Sequence, residues 1–112
     1  MYVAYVEVID QSEDGALWLR WKQQEGALIR QQPGWIRRLL LRSSEEPRRY
    51  HYITMWETAE QAIAFSNSPP FVAAAEALGV STQVNRLRLD RCELLLDEAA
   101  TPASSPIEEN PL

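Results

Sequence analysis

The sequence predicts an α+β fold in which a single antiparallel sheet of four strands carries its helices on one face. Three observations predict it. Segments with strand and helix character alternate in the order β-α-β-β-α(α)-β. The two middle strands are separated by only five turn-forming residues, Ser43 to Pro47. The chain has 112 residues, of which 46% are apolar, enough for one domain with its own core.

Taken in order, Tyr2 to Ile9 is rich in Val, Ile and Tyr and is bounded by Asp10-Gln11-Ser12, so it reads as a strand with both faces covered. Ser12 to Asp14 looks like a helix start, with a capping candidate and acids in the first turn. A helix is expected from about Glu13 to Gln31, with Leu17, Trp21 and Leu28 on one face and Trp18 and Ile29 beside it. Pro33-Gly34 stops it, because proline cannot continue a helix and glycine accepts the positive φ of a turn.

Trp35 to Arg42 and Arg48 to Trp56 follow as a hairpin. Alternation in the second strand puts Tyr50, Tyr52, Thr54 and Trp56 on one face, and His51, Ile53 and Met55 on the other. Thr58-Ala59-Glu60-Gln61 has the form of a capping box opening a second helix, which Asn67-Ser68-Pro69-Pro70 breaks. A third, short helix spans Phe71 to Leu78 and stops at Gly79. The last strand is expected over Arg88 to Leu96, with Cys92, Leu94 and Leu96 sharing a face. This order is that of the ferredoxin-like sandwich. Its second sheet face, with Ile53 and Met55, would be too apolar to leave wet, so a second copy of the chain is expected against it.

Charge and composition narrow the function. The formal net charge is −5, but Asp97, Glu98, Glu108 and Glu109 supply most of it with no basic residue after Arg91. The near-neutral remainder offers no electrostatic footprint for nucleic acid or a membrane surface. Residues 98–112 carry Pro102, Pro106 and Pro111 and almost nothing to bury, so a disordered acidic tail is expected after a domain over 1–97. A single cysteine, Cys92, permits no internal disulfide, and no apolar run long enough for a membrane helix exists, so a cytoplasmic protein is expected. One histidine and one cysteine cannot build the usual zinc site, and the four glycines form no phosphate cradle. Arg37, Arg38, Arg42, Arg48 and Arg49 cluster around Glu45 and Glu46. They suit cross-strand ion pairs at a solvated hairpin end, or an anchor for an anion.

Three landmarks carry a resemblance: Gln32-Pro33-Gly34-Trp35 between helix and strand, Trp56-Glu57-Thr58 between strand and helix, and Ser68-Pro69-Pro70-Phe71 after that helix. In their spacing and context the chain resembles the antibiotic biosynthesis monooxygenase family over about residues 2–96. The resemblance implies a dimeric α+β barrel: a homodimer of ferredoxin-like protomers, each with a pocket between sheet and helices. The family is chemically mixed. One branch oxidises aromatic quinols and anthrone-like phenols with O₂ and without metal or flavin, so the resemblance implies no cofactor and a small aromatic substrate. Trp56 matches that branch's pocket tryptophan, and Tyr52 stands where its members tend to carry asparagine. A haem-degrading branch shares Trp56 and the run Ser68 to Ala74, but its iron-ligating histidine falls at Ala75 here, so haem cleavage is not expected.

The candidate substrate contacts are therefore Trp56, Tyr52, Tyr50 and Phe71, with no catalytic residue identified. Each also has a plain packing role open to it, Trp56 as a core anchor and the tyrosines as sheet-face packing. His51, the one side chain that ordinarily titrates near neutrality, has the parity opposite to Trp56. Cys92 lies in a strand without a histidine near in sequence, as a small hydrophobe does. The favoured expectation is a cofactor-independent monooxygenase acting on a quinol-type substrate. Its rival is a non-catalytic dimeric ligand-binding or interaction domain of the same fold, distinguished by whether polar groups converge on a closed cavity.

Overall fold

The computed structural model describes residues 1–100. The elements are β1 (Tyr2–Asp10), α1 (Leu17–Ile29), β2 (Trp35–Arg42), β3 (Arg49–Trp56), α2 (Ala59–Ser66), α3 (Pro69–Leu78), a one-turn α4 (Val80–Gln83) and β4 (Val84–Glu93). The four strands form one antiparallel sheet in the order β2-β3-β1-β4. This is the ferredoxin-like α+β arrangement the sequence predicts. The proposed tail falls, from residue 101 onward, outside the described residues.

Register decides which side chains meet the helices. Tyr2, Ala4, Val6 and Val8 of β1 stand opposite Trp56, Thr54, Tyr52 and Tyr50 of β3. All four of these β3 residues are buried, whereas His51, Ile53 and Met55 are half-buried on the other side. α1 supplies Leu17, Trp18 and Trp21, which pack with Val8, Tyr50, Tyr52 and Val84. A second cluster of Ile29, Trp56 and Phe65 sits at the far end of the same layer. The opposite sheet face carries Val3, Tyr5, Leu39, Leu41, Ile53 and Met55 by the same register, with Leu41 half exposed at 50%.

Helix signals were partly legible. The Thr58 capping box forms as expected: Thr58 Oγ1 accepts from Gln61 N–H at 3.2 Å and Gln61 Oε1 accepts from Thr58 N–H at 3.2 Å. Gly79 ends α3 in the left-handed region with φ 71. Two expectations need correction. α1 starts at Leu17 rather than near Glu13, and the residue at its cap, Ala16, offers no side-chain acceptor. The missing cap comes from β1: the Asp10 carboxylate accepts from Trp18 N–H at 2.7 Å, from Ser12 N–H at 2.9 Å and from the Ser12 hydroxyl at 2.5 Å. A turn over 11–16 is thus tied down by a carboxylate that is 0% exposed.

β4 runs Val84–Glu93 rather than Arg88 to Leu96, because its pairing with β1 begins at Asp10↔Val84 and is complete at Tyr2↔Glu93. Leu94 and Leu96 therefore lie beyond the strand, Leu96 is exposed, and Cys92 is an exposed free thiol. At the hairpin, Arg48 donates to the Asp10, Ser12 and Glu13 carbonyls, and Arg49 pairs with Glu7 and with Glu46. Arg38 turns inward to Glu25. These arginines are engaged by the protein's own acceptors.

Asp10→Ala strands the donors of Trp18 and Ser12 and is expected to cost about 2–4 kcal/mol, from a lost cap and buried unpaired donors. Urea unfolding checks it, with a lower midpoint and an unchanged slope.

Candidate functional site

A cavity of about 960 Å³ lies between the sheet and the helices, walled by β1, β3 and β4 on one side and by α1, α2 and α3 on the other. Its aromatic wall is built from Tyr2, Trp18, Trp21, Trp56, Phe65 and Phe71. Phe71 packs edge-on against Trp21 and Phe65, with ring centroids 5.1 Å apart in each case. Trp56, 2% exposed, leans on Phe65 at 5.6 Å. Beyond buried Val84, the β4 residues that line the cavity, Leu87 and Leu89 among them, are exposed, so its mouth opens along that edge strand.

The sequence-expected residues divide here. Trp56, Tyr52 and Phe71 come together on the cavity wall. Tyr50 does not reach it: the side chain is 1% exposed in the core, and its hydroxyl donates to the Gly15 carbonyl at 2.7 Å. Its position nearer the hairpin end of β3 puts it under the α1 entry, where it anchors the turn. His51 is on the opposite sheet face, its Nδ1 2.7 Å from the Tyr5 hydroxyl.

A charged cluster that sequence reasoning missed forms the polar pole of the cavity. Lys22 and Glu25 are buried, and Lys22 Nζ donates to Glu25 Oε2 at 3.1 Å. The Tyr52 hydroxyl donates to Glu25 Oε1 at 2.5 Å, and Arg38 Nη1 reaches the same oxygen at 3.4 Å and the Lys22 carbonyl at 2.7 Å. The ammonium sits over the rings of Tyr52 at 4.2 Å and Trp18 at 4.3 Å, within cation–π range. Gly26 lets Arg38 in: a Cβ there would stand 2.5 Å from Arg38 Nη2 and push the guanidinium away from Glu25. The missed signal is helical spacing. Trp18 to Lys22, Trp21 to Glu25 and Glu25 to Ile29 are each four apart, so both charges interrupt the apolar stripe of α1.

Such a pair is not the cheapest way to fill an interior, since burying two charges costs about as much as their attraction returns. Costs of that kind collect where chemistry is done. Burial pulls Lys22 below its ordinary value, with the Glu25 charge opposing. Burial first, and the Glu25 charge second, push the Tyr52 phenol well above its own. Glu25 accepts from three donors at once and is the one carboxylate among the described residues that lines the cavity. Among the described residues, no group of three or more His, Cys, Asp or Glu could hold a metal ion. Ala75 lines the cavity with a methyl group, so an iron ligand is missing from that position.

The chain thus sets an aromatic-walled cavity, with a carboxylate and an ammonium at one pole, between a ferredoxin-like sheet and its helices. The family model described as antibiotic biosynthesis monooxygenase matches residues 2–77, and the chain belongs to that family. Among curated proteins none matches. The fold is similar to that of SnoaB, a cofactor-independent oxygenase from Streptomyces nogalater, at 20% identity and TM-score 0.71, covering 86% of this chain and 95% of that one. It is also similar to a protein from Nitrosomonas europaea described as a candidate antibiotic biosynthesis monooxygenase, at 17% identity and TM-score 0.73, covering 86% and 100%. A third, similarly described, comes from Bordetella bronchiseptica, at 20% identity and TM-score 0.68, covering 85% and 97%. No helix among the described residues is long and apolar enough to cross a membrane.

The lysine offers a direct readout, because Lys22 is the only lysine in the chain. Folding lowers its affinity for a proton, so between its lowered value and 10.5 the unfolded chain binds more protons and stability rises with pH. Tyr52 has the opposite sign: above 10.0 the unfolded chain loses that proton first, and stability falls. The Lys22 ε-carbon resonance is expected to titrate below 10.5 in NMR. Lys22→Met is expected to flatten the rise in stability as pH approaches 10.

Proposed function

We propose that this chain is a monooxygenase that oxidises a small aromatic, quinol- or anthrone-type substrate with O₂, using no metal or flavin, and that it works as a homodimer in the cytoplasm. The observation that carries the reading is the convergence of Glu25, Lys22 and Tyr52 on an aromatic-walled cavity of about 960 Å³. The substrate ring lies among Trp18, Trp56 and Phe71. Its hydroxyl or enol proton passes to Glu25, directly or by relay through Tyr52, leaving an electron-rich anion beside the Lys22 ammonium. That anion reduces O₂. For an anthrone, the ring CH₂ becomes C=O and the second oxygen atom leaves as water, so the substrate supplies all four electrons. Trp56 stacks on the substrate or donates its indole N–H to the substrate oxygen, and the apolar rings keep water from the radical pair.

The uncovered sheet face supports the dimer. Val3, Tyr5, Leu39, Ile53 and Met55 share it with half-exposed Leu41, a patch that a second copy would bury. Sedimentation is expected to give twice the 12.8 kDa chain mass, and Ile53→Glu to give the single chain.

Oxygen uptake with a panel of hydroquinones and anthrones tests the chemistry. Wild type is expected to exceed the uncatalysed rate, and Glu25→Gln to lower kcat by about 10²-fold, the usual contribution of a positioned base. Trp56→Phe keeps a ring but loses the donor, with a loss of roughly 10-fold to 10²-fold. Tight binding of such compounds with no uptake by wild type would instead favour a ligand-binding domain.

A further inference from the structure

The mouth of the cavity carries charge that the proposed oxidation does not use. Arg86 and Arg91 of β4 both line it. In a regular strand, residues five apart point to opposite faces. Here the β1–β4 register shifts between Glu7 and Val8, so Arg86 pairs with Val8 and Arg91 with Ala4. Val8 and Ala4 stand opposite Tyr50 and Thr54, on the helix-covered face of the sheet. The bulge thus turns both guanidinium groups to the cavity side. Bulges that re-aim side chains in this way are over-represented beside active sites.

Neither arginine is neutralised. Among the described residues no carboxylate lies within 4.0 Å of Arg86 or Arg91, whereas Arg88, which pairs with Glu7 across the sheet, has Asp90 at 2.6 Å. Arg91 also borders a shallow cleft with Glu57, Glu60 and Glu93, none of them in ion-pair reach. The charged residues lining the cavity are Lys22, Arg86, Arg91 and Glu25, a positive surplus in a chain whose net charge is −5. The Lys22 ammonium is already held by Glu25 and the faces of Trp18 and Tyr52. Carrying a permanently charged group to that depth would strip its water entirely, whereas the anion of the oxidation forms there only on deprotonation. At the exposed mouth the anion keeps part of its hydration and still has unpaired guanidinium groups to meet.

We propose that Arg86 and Arg91 form an anion subsite at the mouth, and that the cavity selects aromatic substrates bearing a carboxylate or a comparable anionic group, ring inward and charge outward. This rests on the reading of the cavity as the substrate site.

The test uses a pair of fluorescent probes that share one ring system, 1-anilinonaphthalene-8-sulfonate and its neutral analogue N-phenyl-1-naphthylamine, titrated into the full chain. The sulfonate is expected to bind about 10-fold or more tightly than the neutral probe, with a preference that shrinks as salt is raised. Arg86→Gln/Arg91→Gln is expected to remove the preference while leaving the neutral probe unchanged. Both positions are exposed, so the fold is not at risk. Arg88→Gln, on the other sheet face, is expected to change neither probe. Ala4→Phe, which fills the cavity, is expected to weaken both and so locates them. Neutral-probe binding with no preference for the sulfonate, or a preference that survives the double substitution, overturns the anion subsite alone. Failure of both probes to bind overturns the cavity as a ligand site and the subsite with it.

Discussion

The bond from the Tyr52 hydroxyl to Glu25 is the constraint around which the site is arranged. It joins the middle of β3 to the middle of α1 at 2.5 Å, across the layer where a core would otherwise close. A carboxylate buried there needs donors, and Lys22 and Arg38 answer from the same helix and from β2. The ammonium in turn needs a low-cost seat, which the faces of Tyr52 and Trp18 provide. Removing Glu25 would leave a buried ammonium and a buried hydroxyl without their acceptor, whereas removing one donor leaves the carboxylate its others, so Glu25 holds the cluster together.

This arrangement explains why rings line the cavity instead of filling it. Trp21, Phe65 and Phe71 meet edge to face, and Trp56 tilts against Phe65. Those rings, from α1, α2, α3 and β3, line the cavity beside the small β1 residues Ala4 and Val6. At the hairpin end, where Tyr50 and Leu17 lie in the buried cluster and do not line the cavity, the same two layers close into core. One end of the sandwich is therefore closed core and the other holds the cavity. Asp10, capping α1 from β1, sets the helix at the solid end and so fixes the angle at which Lys22 and Glu25 arrive.

Much of the fold was readable because local rules govern it. Period-two alternation in β3 sorted Trp56 and Tyr52 from His51 and Ile53, and the Thr58 capping box and Gly79 marked helix ends through their own chemistry. Where local rules gave way, a distant group had intervened. The start of α1 depends on a carboxylate from β1, and the span of β4 depends on where β1 offers unpaired backbone. Tyr50 and Tyr52 are indistinguishable by parity, yet one meets the Gly15 carbonyl and the other the cavity, a difference in height along the strand.

By itself the sequence determined the element order, the face of each strand and the family, since these follow from hydrophobic period, turn chemistry and short motifs. Only the tertiary structure decided the chemistry of the cavity. Lys22 and Glu25 look like two ordinary helix charges until the helix is laid on the sheet, and Arg86 and Arg91 look like residues of opposite faces until a bulge brings them to one. Charges act through space, and chain separation carries no record of which ones a fold will enclose together.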